Sequence, residues 1–172
     1  MGLIHNPLSV PIIGIRIRVS LVTVEGLVVL SQEIAGARQW LPASASAPYG
    51  ALFTTIPTEP TGAVAEVVQA EPIQNSMSIA IPLITHHLQG DLSDNRYRIE
   101  AVIQNAATFA VQPLIVITFL DIAGHVTGFR QISPEQHLAA NSSLPIEVDG
   151  IAVAPGASQF TISADGLLLQ TP

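Results

Sequence analysis

His86 and His87 sit side by side in the run THHLQGDLSDN, with Asp91 and Asp94 close behind. Two imidazoles and two carboxylates form a donor set suited to zinc or nickel. The competing reading is a polar loop between the first two strands of the second half. Were the run a strand, adjacent side chains would point to opposite faces and separate the two rings. Asp91, Asp94 and Asn95 also offer oxygens of the kind calcium takes. The run lacks the glycine and distal glutamate of a calcium-binding loop, however, and turn formation by Asp and Asn accounts for the same residues. No metal and no cofactor is assigned on this basis; His86, His87, Asp91 and Asp94 stand as candidates.

Nucleophilic chemistry has less to draw on. There is no cysteine, which excludes disulfides, zinc–thiolate centres and thiol nucleophiles. No G-x-S-x-G occurs. Ser133, Asp121 and either His125 or His137 form a triad only by assumption, and Asp121 is better explained as the turn residue ahead of Gly124. No glycine-rich phosphate loop follows a strand. The chain is therefore expected not to be an enzyme. Trp40 and Tyr49 flank LPASASAP, an aromatic pair that a carbohydrate or peptide platform would use. Tyr49 is assigned to the core and Trp40 to the surface. With Leu3 and Ile4 they make up the candidate interaction surface. Asn141-Ser142-Ser143 is a formal glycosylation sequon, meaningful only in a glycosylating host.

The elements around these residues follow a period of two. In IRIRVSLVTV, Ile15, Ile17, Val19, Leu21 and Thr23 share one face, and Arg16, Arg18, Ser20 and Val22 the other. That is a strand with one buried face. RYRIEAVIQN alternates in the same way, with Tyr97, Ile99, Ala101 and Ile103 inward. LIVITFLDI is apolar on both faces and β-branched, as in a strand covered on both sides. The only helical signal is SPEQHLAAN, which is expected to form one short turn. Glycines between strand-like runs, in VEGL and IAGH, mark hairpins.

The second half repeats the first. Asn6 aligns with Asn105, Gly26 with Gly124, Leu41 with Leu138 and Pro48 with Pro145, so the offset drifts slowly from 99 to 98 to 97. Gly62 with Gly156 and Ala70 with Ala164 continue it at 94. The repeat places a boundary near Glu71–Gln74, giving domains of residues 1–72 and 73–172. The expected fold is all-β: two tandem immunoglobulin-like or fibronectin-like antiparallel β-sandwiches. The first copy starts late. It lacks the N-terminal strand corresponding to Ser76–Leu83 and most of the one corresponding to Arg96–Asn105, of which GLIHN is the remnant. An exposed sheet edge on the first domain is the expected consequence, and with it pairing to a protein partner or to another copy.

This register resembles the FxLYD-type extracytoplasmic β-sandwich family. The correspondence runs through AVIQN, LIVITFLDIAG, HVTGFRQI and LAANSSLPIEV in the second copy. In the first it runs through GLIHN, IRIRVSLVTVEG, LVVLSQEI and LPASASAPYGALF. The first copy departs from the pattern at Thr23, where Asp121 supplies the expected aspartate in the second. The second departs at Leu144–Ile146, where Tyr49 supplies the aromatic in the first. The resemblance implies a bacterial, exported or surface-located, non-catalytic module that spaces, presents or binds proteins. An export signal is then expected upstream of Met1. Residues 1–30 are apolar, but Arg16, Arg18 and Glu25 interrupt them, so they read neither as a membrane span nor as a signal peptide. With a net charge of −7 and only six basic residues, all arginine, the chain has no stripe for nucleic acid or an anionic membrane.

Overall fold

The computed structural model describes residues 1–56, 60–74, 79–93, 96–152 and 155–169. The chain is all-β, with antiparallel sheets and no helix among the described residues. It divides into two compact units, Met1–Gln74 and Asn75–Pro172.

The second unit is a β-sandwich. One sheet has the order β11 (Val126–Ile132), β10 (Val111–Leu120), β13 (Gln159–Leu168), β7 (Ala80–Pro82). The other has the order β12 (Ser143–Ala152), β9 (Arg96–Gln104), β8 (Ile84–Ser93). Period-two alternation fills the space between them: Tyr97, Ile99 and Ile103 from β9 meet Val111, Ile115, Ile117 and Phe119 from β10. Tyr97 stacks on Phe119 at 5.1 Å between ring centroids and meets Phe160 edge-on at 5.5 Å. Each such side chain removed from water contributes about 1.5–3 kcal/mol. β10 is buried on both faces, including Val116 and Thr118, as its apolar run predicts.

One segment edges both sheets of this unit. β7 pairs with β13 at Asp165–Leu167, Leu83 donates its N–H to Ala164 O at 3.0 Å, and the chain then enters the other sheet as β8. The run containing His86 and His87 is thus a strand and not the expected loop. Its residues are almost all exposed, and only the ladder to β9 holds it extended. The helical turn expected in Ser133–Asn141 also does not form. Leu138 exchanges backbone hydrogen bonds of 2.8 and 3.0 Å with Val111, which requires extended backbone, and the Ser133 hydroxyl turns to Pro113 O instead of capping a helix.

The first unit repeats part of this plan. β2 (Ile12–Val22) lies between β3 (Val28–Ala35) and β6 (Gly62–Pro72), with the two-residue β4 (Trp40–Leu41) also on β2. β1 (Gly2–His5) pairs with β5 (Ser46–Tyr49) in a second sheet. Ile4, Ile15, Ile17, Val19, Leu41 and Ala47 form the core between the two sheets. Corresponding pairs recur residue for residue. Ile4 faces Ala47 as Ile103 faces Leu144, and Ile17 faces Ile34 as Ile115 faces Ile132. Both hairpins bulge one residue before their last pair, and both turn on a glycine with positive φ, Gly26 at 79° and Gly124 at 83°.

The last strand follows a different register from the one expected. Val22 faces Gly62 while its counterpart Leu120 faces Gln159, so the offset stays at 97. Pairing Gly62 with Gly156 is a slip of three residues. Gly156 sits in a turn at φ 94°, whereas Gly62 opens a strand, so their shared identity has two unrelated causes.

Candidate functional site

The histidine pair lies at a β-bulge. The β8–β9 register shifts between His86 and Gln89, and His87 takes φ 50°. The rings stand 6.5 Å apart at 48°. His86 Nε2 meets Gln104 Oε1 at 2.8 Å. His87 lines an open depression of about 450 Å³ with Gln89, Glu100, Pro145 and Glu147. Arg98 bridges the two acids of that depression, at 3.1 Å to Glu100 and 2.6 Å to Glu147. Asp91 lies opposite Arg98 in the ladder. Asp94 and Asn95 lie outside the described residues. No group of three potential metal ligands forms among the described residues.

Asp121 is occupied by its turn. Its Oδ1 accepts from the backbone N–H groups of Ala123 and His125 at 2.9 and 2.8 Å, and its Oδ2 lies 3.1 Å from His125 Nδ1. The backbone bond from His125 is the main reason its pKa falls below the ordinary carboxylate value. Ser133, with its hydroxyl on Pro113 O, belongs to no such arrangement, and His137 is exposed. In the first unit Thr23 takes the place of Asp121, and its hydroxyl donates to Glu25 at 2.9 Å.

The aromatic platform is corrected. Trp40 is buried at 4% exposure, with the Arg38 guanidinium 5.8 Å from its ring centroid. Ile4 is buried as well, as a core residue. Tyr49 packs half-buried against the same core, close enough that a side chain on Gly2 would press on its hydroxyl. Of the four residues only Leu3 is exposed, at 46%. Ile4 and Tyr49 are drawn in because β1 and β5 supply much of the small first core, whereas Trp40 pairs with Ile13 and is buried outside that core.

Two features stand out that single-residue reading does not reach. The first is a buried asparagine in each unit. Asn6 Nδ2 donates to the carbonyls of Val10, Leu41 and Pro42, and its Oδ1 accepts from Leu8 N–H. Asn105 does the same with Phe109, Leu138, Ala139 and Ala107. Both are fully buried. The two N–H groups of each amide are shared among three carbonyls, which identifies these residues as latches of the fold.

The second is an uncovered sheet face. Ala63, Ala65 and Val67 on β6 lie directly opposite Leu21, Val19 and Ile17, and cross-strand partners share a face. Ile17 and Val19 are in the core, yet Ala63, Ala65 and Val67 are all exposed, Val67 by 50%. The corresponding residues of the second unit, Phe160, Ile162 and Ala164, are covered or half-covered. What covers them there is β8 and the first half of β9: Phe160 meets Tyr97, and a side chain on Gly90 would collide with its ring. The first unit has no counterpart of β7, β8 or Arg96–Glu100 among its described residues. Among the described residues no strand pairs with the outer edge of β6 or of β1.

Among known proteins, no family, curated protein or solved structure matches the chain. The assignment of a role rests on the two units themselves. No helix among the described residues is long and apolar enough to cross a membrane.

Proposed function

We propose that the protein is a non-catalytic, immunoglobulin-like β-sandwich module of the FxLYD type, exported to the envelope or surface of a bacterial cell, that spaces, presents or binds other proteins. The observation that carries this reading is the open face of β6, an apolar sheet surface beside two unpaired edges. Sheet edges of this kind recruit further strands. It favours one form of the reading, an assembly subunit whose first unit accepts a strand from a partner. The polar groups add support, because Asn6, Asn105 and Asp121 are all taken up by holding turns and loops.

A photo-crosslinking residue placed at Ala65 in the producing cells tests the reading. The expected result is an adduct to another polypeptide in the envelope or surface fraction, absent when the crosslinker sits at Glu33 on β3. Cytosolic protein without adducts at Ala65 would refute both the location and the binding role. Metal binding at His86 and His87 is the remaining alternative. It requires zinc, nickel or calcium to raise the melting temperature, and His87→Ala to abolish that rise.

A further inference from the structure

We propose that the turn of the β2–β3 hairpin in the first unit is a lipid-docking tip, which enters the interface of an electrically neutral bilayer with Val24, Leu27 and Val28. The proposal goes beyond the protein-binding reading above and does not depend on the β6 face.

Turns of this kind are ordinarily polar, because glycine, asparagine, aspartate and serine meet their backbone needs. Here Thr23–Leu27 joins β2 to β3. Val24 is exposed by 80%, Leu27 by 67%, and Val28, the first residue of β3, by 62%. The turn projects clear of the unit: beyond its chain neighbours, a side chain on Gly26 would meet no atom within 4 Å. Its backbone is suited to leaving water. Thr23 N–H donates to Leu27 O at 2.9 Å and Gly26 N–H to Thr23 O at 3.0 Å, and unpaired backbone groups are what lipid penalises most. Glu25 is the one charged residue of the turn, and its carboxylate accepts from the Thr23 hydroxyl at 2.9 Å. That carboxylate limits entry to the headgroup boundary, about 5–10 Å deep, where it keeps its water.

The second unit carries the same turn with other side chains. Ile122, the counterpart of Val24, is 89% exposed, and a side chain on Gly124 would again meet no atom within 4 Å. Both units thus hold a β-branched apolar residue at the same uncovered position. Asp121 stands in place of Thr23, however, and His125 in place of Leu27, so Ile122 sits among polar groups. The first tip is the apolar version of the turn, and the second is its internal control.

The size of the tip selects a lipid surface over a protein. A stable protein interface buries about 800 Å² on each partner, and the side chains of one turn supply a small part of that. A bilayer sets no such minimum, because its molecules rearrange around individual side chains and its acyl chains are as apolar as leucine. Charge then fixes the class of lipid. The net charge is −7, and no basic residue occurs between Arg18 and Arg38. Anionic headgroups repel such a surface, whereas zwitterionic ones do not.

The test uses the full chain and vesicles of pure phosphatidylcholine. The chain has no cysteine, so Val24→Cys and Glu33→Cys each provide one attachment point for a polarity-sensitive dye. With rising lipid, the dye at position 24 is expected to shift to the blue. The dye at position 33, exposed on β3, is expected to stay unchanged. In co-sedimentation of unlabelled protein, Leu27→Asp combined with Val28→Asp is expected to weaken vesicle binding about tenfold or more. Ile122→Asp should change it less than about threefold. These positions are all exposed, and unchanged circular dichroism checks that the variants fold. Added phosphatidylglycerol should weaken binding, and salt should relieve that loss. No binding to neutral vesicles, or equal shifts at positions 24 and 33, would overturn the proposal. Binding abolished by Val67→Asp but retained in the tip variants would assign the lipid contact to β6 and overturn it as well. A blue shift at position 24 that grows with protein concentration and needs no lipid would make a second copy the occupant and reject the lipid.

Discussion

Asn6 and Asn105 each lock the point where the chain leaves one sheet and enters the other, with Nδ2 in contact with three equivalent carbonyls and Oδ1 accepting one equivalent N–H. The loops they tie are also alike. Asn6 N–H donates to Ala45 O and Asn105 N–H to Ser142 O, both at 2.9 Å. The residues just before those acceptors, Ser44 and Asn141, both adopt positive φ.

Replacing either asparagine with alanine removes both N–H donors and the Oδ1 acceptor of the latch. Pro42 O, Leu138 O and Ala139 O keep other donors, and each remaining group left unsatisfied costs about 1–3 kcal/mol. Asn6→Ala is expected to destabilise the first unit by about 3–5 kcal/mol, and Asn105→Ala the second by a similar amount. The chain has one tryptophan, Trp40, in the first unit. Urea unfolding followed by tryptophan fluorescence should therefore shift strongly for Asn6→Ala. For Asn105→Ala the main change should appear in circular dichroism. Equal fluorescence shifts for both would show that the units unfold as one.

Ser44 holds φ 58° and Asn141 holds φ 50°. Asparagine tolerates this left-handed conformation better than serine, and glycine better than either. Ser44→Asn, which copies the second unit, and Ser44→Gly should each stabilise the first unit by about 0.5–1 kcal/mol. The gain is read from the same fluorescence midpoint; a loss with both variants would mean that the serine side chain holds the loop.

Gly90→Ala is expected to cost the second unit about 1–3 kcal/mol, because the added methyl meets the Phe160 ring. Phe160→Ala alone removes a half-buried ring and costs about 1–3 kcal/mol. The two changes should be strongly non-additive, with the double variant less destabilised than their sum. Additive costs in a denaturation double-mutant cycle would show that β8 moves aside instead of packing on the ring.

The pH dependence follows from Asp121. Its pKa is lowered in the folded chain, first by the backbone bond from His125. Its carboxylate thus adds stability above the unfolded value of 3.8, and that contribution fades as pH falls through the lower folded value. Asp121→Ala should lower the denaturation midpoint at pH 7, and the deficit should shrink as pH falls below the unfolded value and through the lowered folded one. Asp121→Asn, which keeps the Oδ1 acceptor, should recover part of the loss. An alanine variant whose deficit persists at low pH would assign the effect to packing.

The parts of the fold most legible in the sequence were those with one dry face. Ile15, Ile17 and Val19 alternate with arginines and serine, and Tyr97, Ile99 and Ile103 with charges, so burial and sequence carry the same period. β8 was not legible because its alternation is confined to Leu88, Gly90 and Leu92 and is broken by the bulge after His86. Nearly every residue in it is exposed, so its extension is imposed by β9. Trp40 was misplaced because its aligned partner, His137, is exposed. Alignment transfers position in the chain, whereas burial depends on the local surroundings, which differ between Trp40 and His137. The open face left a trace that composition alone could not decode. Alanines at 63 and 65 look like ordinary strand residues until Phe160 and Ile162 are seen in the same register.

The open strand also has a bearing on how the protein keeps in solution. β6 offers Val64, Val67 and Val68 to solvent with only Glu66 and Glu71 as charges along it, and no lysine guards it. Like-charge repulsion from the net charge of −7 is then the main force holding copies apart, and it weakens as salt shortens the Debye length. Solubility should fall as ionic strength rises. The exposed β6 face thus makes self-association of this chain a function of ionic strength.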